Sequence, residues 1–264
     1  MEIPIYQVDA FASEVFAGNP AAVCPLEAWL PDDVMQAIAA ENNLAETAFF
    51  VRRGDEFDLR WFTPAVEAEM CGHATLGSAY VIINYLEPER REARFHTRSG
   101  QLVVTRDGEN YCLDLPAQPP ERVDVSPDMT AALGAAPVEL WRSMYMMAVF
   151  SEETQIANLA PDFAKVAALE KGEVIVTAPG NTGDFVSRFF APAAGIPEDP
   201  VTGSAHTILA PYWAKRLGKT HMAARQISHR GGELAVELRD DRVLLTGRVA
   251  PYLQGRIRVY TKSP

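Results

Sequence analysis

Two stretches decide how this chain reads: RWFTPAVEAEMCGHATLGSAY at residues 60–80 and SRFFAPAAGIPEDPVTGSAHT at residues 187–207. Each begins with a strand-like run ending in an aromatic, passes through a small residue and a proline, crosses a loop, and reaches a glycine that opens a long apolar segment. That segment is too long for an ordinary strand and reads as a buried helix. The similarity extends outward. RSGQLVVTRDGENYCLDLP (98–116) matches RGGELAVELRDDRVLLTGR (230–248) in the same order. A self-similarity near half the chain length implies two related domains rather than a solenoid. The boundary falls in AQPPERVDV, giving domains of 1–118 and 119–264, with a final strand that can cross back to the first.

Around these anchors the smaller elements follow. IPIYQVDAF and PAAVCPL read as strands, as do ETAFFV and FDLRWFTP. LPDDVMQAIAAENN reads as a helix with Pro31 in its first turn, Asp32 and Asp33 at its positive end, and Val34, Ile38 and Met35 on its apolar face. RDGEN is a hairpin signal, because Asp-Gly supplies the positive φ of a tight turn. In the second half, SPDMTAALG and LAPDFAKVAALEKG read as helices, the latter closed by Gly172. SMYMMAVF, EVIVTAPG and FVSRFFAP read as strands. GSAHTILAPYWAKRLG is the second long helix, with Pro211 a candidate kink.

Composition narrows the function classes. The 264 residues are 48% hydrophobic and 22% charged, ordinary for a globular protein with a sizeable core. A net charge of −11 argues against nucleic acid as a partner but not against a small anion, which one helix end can hold. No signal peptide and no membrane span is expected. Three cysteines without CxxC spacing point to a reducing, cytoplasmic setting without a disulfide framework or a zinc site.

If the two halves face each other about a pseudo-two-fold axis, both long helices begin in the cleft between them. Their N–H groups and dipoles then converge on an anion. Gly72 and Gly203 would let the backbone approach a ligand closely. Glu46, between apolar neighbours, is either on the wet face of a strand or a partly buried carboxyl with the raised pKa of a general acid/base. His73, in a helix first turn, is either structural or a neutral imidazole with a dipole-lowered pKa. Asp199 and Ser204 either cap the second helix or serve the site. Cys71 is either a small buried hydrophobe or a thiol activated by the helix end.

The motifs DAFASEVFAGNPAAV, NNLAETAFF, FTPAVEAEMCGHATLGSA and EDPVTGSA, in that order over most of the chain, resemble the PhzF-like, or phenazine biosynthesis-like, isomerases. The wider superfamily includes diaminopimelate epimerase and proline racemase. The resemblance implies an α+β fold of two pseudo-symmetric domains, each a curled mixed sheet around a central helix. It places the acid/base glutamate on Glu46, the histidine of the GH motif on His73, and the aspartate and serine on Asp199 and Ser204. It also implies chemistry without metal or organic cofactor, and a homodimer. The superfamily's epimerases use two cysteines, one at the start of each central helix. Here Cys71 fills the first position but Thr202 the second, and a threonine hydroxyl is too weak an acid to replace a thiolate.

GHATLGS has the glycine spacing of a phosphate loop but lacks its lysine. HExxH, GxGxxG and GxSxG are absent, and His96, His206, His221 and His229 form no metal-ligand spacing. The expectation is an isomerase of a small carboxylate, with Glu46, His73 and Asp199 in the chemistry and Gly72, Gly203 and Ser204 holding the anion. Two alternatives stand beside it: an epimerase using Cys71, and a carboxylate-binding protein without chemistry.

Overall fold

The structure, a computed structural model, describes residues 1–259. Among the described residues the chain divides into two compact units, one comprising Met1–Asp114 with residues 246–259, the other Leu115–Leu245.

In the first unit, β1 (Glu2–Ala10) and β2 (Asn19–Leu26) lead to helix α1 (Asp32–Asn42). Strands β3 (Glu46–Arg53), β4 (Glu56–Phe62) and the short β5 (Glu67–Ala68) follow, then helix α2 (Gly72–Val81) and strands β6 (Glu92–Thr97), β7 (Gly100–Asp107) and β8 (Asn110–Pro116). The second unit contains β9 (Glu121–Val123), α3 (Pro127–Leu133), β10 (Glu139–Arg142), β11 (Met146–Val149), α4 (Glu153–Ala157), α5 (Phe163–Ala167), β12 (Val174–Pro179) and β13 (Phe185–Ala191). It continues with β14 (Ile196–Asp199), helix α6 (Gly203–Leu217), β15 (His221–Gln226), β16 (Gly232–Arg239) and β17 (Arg242–Gly247). The last strand, β18 (Val249–Arg258), returns to the first unit and pairs antiparallel with β1 from Glu2↔Arg258 to Ala10↔Val249.

The repeat seen in the sequence is a repeat of strand pairing. In the first unit β1–β2 is antiparallel, β2–β3 parallel, β3–β4 antiparallel, β4–β6 parallel and β6–β7 antiparallel, with β5 added to β4. The second unit repeats that series as β10–β11, β11–β12, β12–β13, β13–β15 and β15–β16, with β14 added to β13. Even the outer strand corresponds, since β18 lies on β1 and β9 on β10.

Each sheet wraps a buried helix. Helix α2 packs on β1, β2, β3, β7 and β18, strands from across the sheet order, so the sheet must curl around it. Its buried residues include Ala74, Leu76, Ala79 and Val81 on different sides, the pattern of a helix covered all round. Gly77 permits the approach: a Cβ there would lie 2.8 Å from Val8 Cγ2. After Val81 the helix ends in a π-helical turn, Ile82–Leu86, in which Glu87 N–H reaches the Ile82 carbonyl and the Asn84 amide takes over the Tyr80 carbonyl. In the second unit Trp213 of α6 stacks on Phe185 at 5.5 Å between centroids and donates its indole N–H to Thr177 Oγ1 at 3.0 Å.

The outer faces are covered by α1 in the first unit, through Met35, Ile38 and Ala39, and by α3, α4 and α5 in the second, through Met129, Leu133, Ile156 and Val166. Central strands such as VIVTAP and FVSRFFA are therefore buried on both faces and read as continuous apolar runs rather than alternating ones.

Three details differ from the sequence reading. Pro31 stands at the N-cap of α1, not inside its first turn. The segment 159–172 forms a single five-residue turn, α5, started by Asp162, whose carboxylate accepts the N–H groups of Ala164 and Lys165. Gly172 does adopt a positive φ of 64°, but in the loop beyond α5 rather than at its cap. Among the described residues no helix is long and apolar enough to cross a membrane.

Candidate active site

The first cluster lies where β3 starts and α2 begins. Asn43 closes α1 in the left-handed region and turns the chain so that Glu46 is the first residue of β3. Cys71 is the N-cap of α2, in an extended conformation, and His73 follows in the first turn. Glu46 Oε2 lies 3.1 Å from His73 Nε2, and Cys71 Sγ lies 3.5 Å from His73 Nδ1. The three side chains, separated by up to 27 positions, thus converge on one imidazole. All are largely buried, the Glu46 side chain being 13% exposed.

Their electrostatics bear on the readings left open for His73 and Cys71. Burial by itself disfavours the charged imidazole, but the Cys71 and Glu46 groups set against the ring outweigh it and raise the His73 pKa well above the usual histidine value. The shift runs opposite to the one the helix dipole alone would give. Burial also pushes the Cys71 thiol up to about 11, with the nearby Glu46 carboxylate adding to the rise, so the helix end does not activate it.

The second cluster lies at the start of α6. Thr202 is its N-cap, again extended, and donates its hydroxyl to Asp199 Oδ2. A residue that sequence reasoning missed braces this turn. Gln226, at the end of β15 and buried, accepts the Thr202 N–H at 2.8 Å and donates to the Asp199 carbonyl at 2.8 Å and to Thr202 Oγ1 at 3.1 Å. Ser204 Oγ lies 3.0 Å from the Tyr145 hydroxyl, a second partner not anticipated.

The two helix starts are built alike. Neither N-cap side chain caps its own helix. In each, the side chain four residues on bonds the N-cap carbonyl: Thr75 Oγ1 to Cys71 O at 2.5 Å, and His206 Nδ1 to Thr202 O at 2.8 Å. Neither Gly72 nor Gly203 has a positive φ, so what glycine offers there is a missing side chain rather than an unusual conformation. Upstream, Arg60 forks onto Glu67 with N···O distances of 2.7 and 2.8 Å, and Arg188 onto Glu198 with 2.7 and 3.0 Å. These guanidinium–carboxylate pairs tie the strand before each loop to the segment leading into the helix. A cavity of about 550 Å³ in the second unit, lined by Met129, Leu140, Met146 and Leu169, shares no residue with either cluster.

The model of phenazine biosynthesis-like proteins matches residues 8–255, nearly the whole chain. The chain belongs to this family of isomerases. An uncharacterized isomerase of Pseudomonas aeruginosa is 51% identical over 259 residues, spanning 98% of this chain and all of the relative. The crystal structure of a PhzF-family protein of Enterococcus faecalis, 48% identical, superposes with a TM-score of 0.95 over 98% of this chain and 100% of that one. A predicted epimerase of Pseudomonas aeruginosa, at 20% identity, TM-score 0.72, and 98% and 100% coverage, shares the fold. This PhzF-family chain therefore carries the epimerase-like α+β fold expected from its motifs.

His206, within this family member's second helix start, is fully buried, and burial lowers its pKa from 6.5 to about 4 although the Thr202 carbonyl favours the charged form. The unfolded chain therefore binds this proton more readily, so the contribution is fully present above about pH 6.5 and is lost as pH falls toward 4. The stability lost between pH 7.5 and pH 5 should be about 2 kcal/mol larger in wild type than in His206→Gln, read by urea unfolding.

Proposed function

We propose that the protein is a cofactor-independent isomerase of a small carboxylate-bearing metabolite, with both clusters serving one substrate in an interdomain cleft. The observation that carries this reading is the Glu46–His73 contact of 3.1 Å beside a helix start that its own N-cap leaves uncapped. A carboxylate against an imidazole can accept and return a proton. In this reading Glu46 takes a proton from carbon, the C–H electron pair spreads into the conjugated system, and the new Glu46 O–H, which exchanges with solvent, delivers a proton to a different carbon. No atom is gained or lost. His73 and Asp199 orient the substrate and support the charge. Ser204 and the N–H groups following Gly72 and Gly203 hold the substrate carboxylate.

A two-thiol epimerase fits less well. The Cys71 thiol is pushed up to about 11, and the opposite position holds Thr202, whose hydroxyl is engaged by Asp199. The test is the kind of product. Wild type and Cys71→Ser are incubated with cyclic dienyl amino acids, proline analogues and D- and L-amino acids, and the products are resolved by chiral chromatography. A positional isomer formed by both proteins is expected. An enantiomer or epimer formed only when Cys71 is present would replace this reading with the epimerase.

A further inference from the structure

The Glu46, Cys71 and His73 cluster has a property that proton transfer does not use. Its carboxylate oxygen, thiol sulfur and ring nitrogen lie within 4.8 Å of one another. Around His73 Nε2, Glu46 Oε2 stands at 3.1 Å and Cys71 Sγ at 3.9 Å. A tetrahedral Zn²⁺ bonded at about 2.0–2.3 Å places its donors about 3.3–3.7 Å apart. The two spacings to Nε2 fall just below and just above that range, while the sulfur stands nearer Nδ1, at 3.5 Å, so a change of the Cys71 rotamer toward the Nε2 side is what closes the set on one ion. Glu46 Oε2 is also buried without a well-formed hydrogen bond, its approach to the imidazole notwithstanding. A buried acceptor left in that state costs free energy that a bound cation would recover. The ion displaces the protons of the Cys71 thiol and the His73 ring to solvent as it binds, and the resulting thiolate, imidazole and carboxylate suit a borderline ion such as Zn²⁺ or Co²⁺ rather than Mg²⁺ or Ca²⁺. One donor is the N-cap of α2, the second lies in its first turn and the third is the first residue of β3, so regular elements hold the geometry rather than a loose loop.

We propose that Glu46, Cys71 and His73 form a three-ligand site for Zn²⁺ or a similar borderline cation, and that its occupancy inhibits the enzyme by engaging the Glu46 carboxylate. The inhibition rests on the isomerase reading above; the binding does not. Three protein ligands leave a fourth position for water or a substrate carboxylate.

The experiment titrates the reduced full-length protein with Co²⁺ and follows the thiolate-to-cobalt charge-transfer band in the near ultraviolet together with the visible bands of a four-coordinate ion. One cobalt per chain is expected, with the charge-transfer band lost in Cys71→Ser and kept in Cys24→Ser and Cys112→Ser. Loss of a ligand should cost at least the 10- to 100-fold typical of a group that merely supports one, so Glu46→Gln and His73→Gln should bind about 100-fold more weakly. Circular dichroism identifies any variant that fails to fold, and the remaining variants then decide. No charge-transfer band in folded wild type at excess cobalt overturns the site, as does a band that survives Cys71→Ser or an affinity unchanged in Glu46→Gln. Because no substrate enters this measurement, a negative result leaves the acid/base reading standing, and an inactive enzyme that still binds cobalt leaves the site standing.

Discussion

Glu46→Gln should lower the turnover of any substrate this protein isomerises by about 10²- to 10⁴-fold, the usual contribution of a positioned general acid/base. The substitution keeps the shape of the side chain and removes its capacity to take up a proton. Glu46 sits at the first position of β3, paired in register with Ala21, and its backbone hydrogen bonding is unaffected by the change. The melting temperature should therefore move little. Substrate affinity should also be largely kept, because in the proposed binding mode the helix starts, not Glu46, hold the carboxylate. Steady-state kinetics with thermal unfolding of the same preparations separates this outcome from simple misfolding. A variant equally active and equally stable would remove Glu46 from the chemistry.

The second large effect concerns stability. Trp213→Ala should destabilise the second unit by about 3–5 kcal/mol, the range for removing a fully buried large aromatic. Trp213 is 1% exposed and lies nearly parallel to Phe185, with an interplanar angle of 4°. Its indole N–H is satisfied by Thr177 Oγ1, which itself donates to the Val186 carbonyl at 2.7 Å. The truncation thus opens a cavity and breaks a hydrogen bond between α6 and β12. Chemical unfolding should show the loss, with a fall in melting temperature of about 10 °C. Trp213→Phe, which keeps most of the volume, should recover much of it. A Trp213→Ala protein as stable as wild type would mean that α6 is not the centre of its unit.

Much of the fold was legible because the repeat is written in residues with strong local meaning. The Arg-aromatic-aromatic-small-Pro runs at 60–64 and 188–192 end equivalent strands, β4 and β13, and Gly72 and Gly203 open equivalent helices. The Asp107-Gly108 turn is a hairpin whose glycine has φ 60°, as its chemistry demands. Segment 159–172 was harder. Its apolar spacing suits a helix, yet its cap at Asp162 starts only one turn, and Leu169 packs into the core from beyond it.

At the site, the family motifs single out Glu46, His73, Asp199 and Ser204, while the bare pattern leaves each of them with a bland alternative; what the structure adds is the contact of Glu46 with His73. Gln226 was not legible at all. Its role depends on the parallel pairing of β15 with β13, which brings it to a turn 24 positions earlier in the chain. The direction of the His73 shift was open in the sequence for a related reason. The helix dipole is visible in sequence, but the Glu46 and Cys71 groups that oppose it become visible only when the fold places them on the ring.

The proposed function stands or falls on whether Glu46 moves a proton at carbon. Proton NMR in D₂O, with wild type and Glu46→Gln side by side on the same small carboxylates, tests it most directly. Deuterium is expected at a substrate or product carbon with wild type and at none with Glu46→Gln. Deuterium entering at the same rate in both proteins would contradict it.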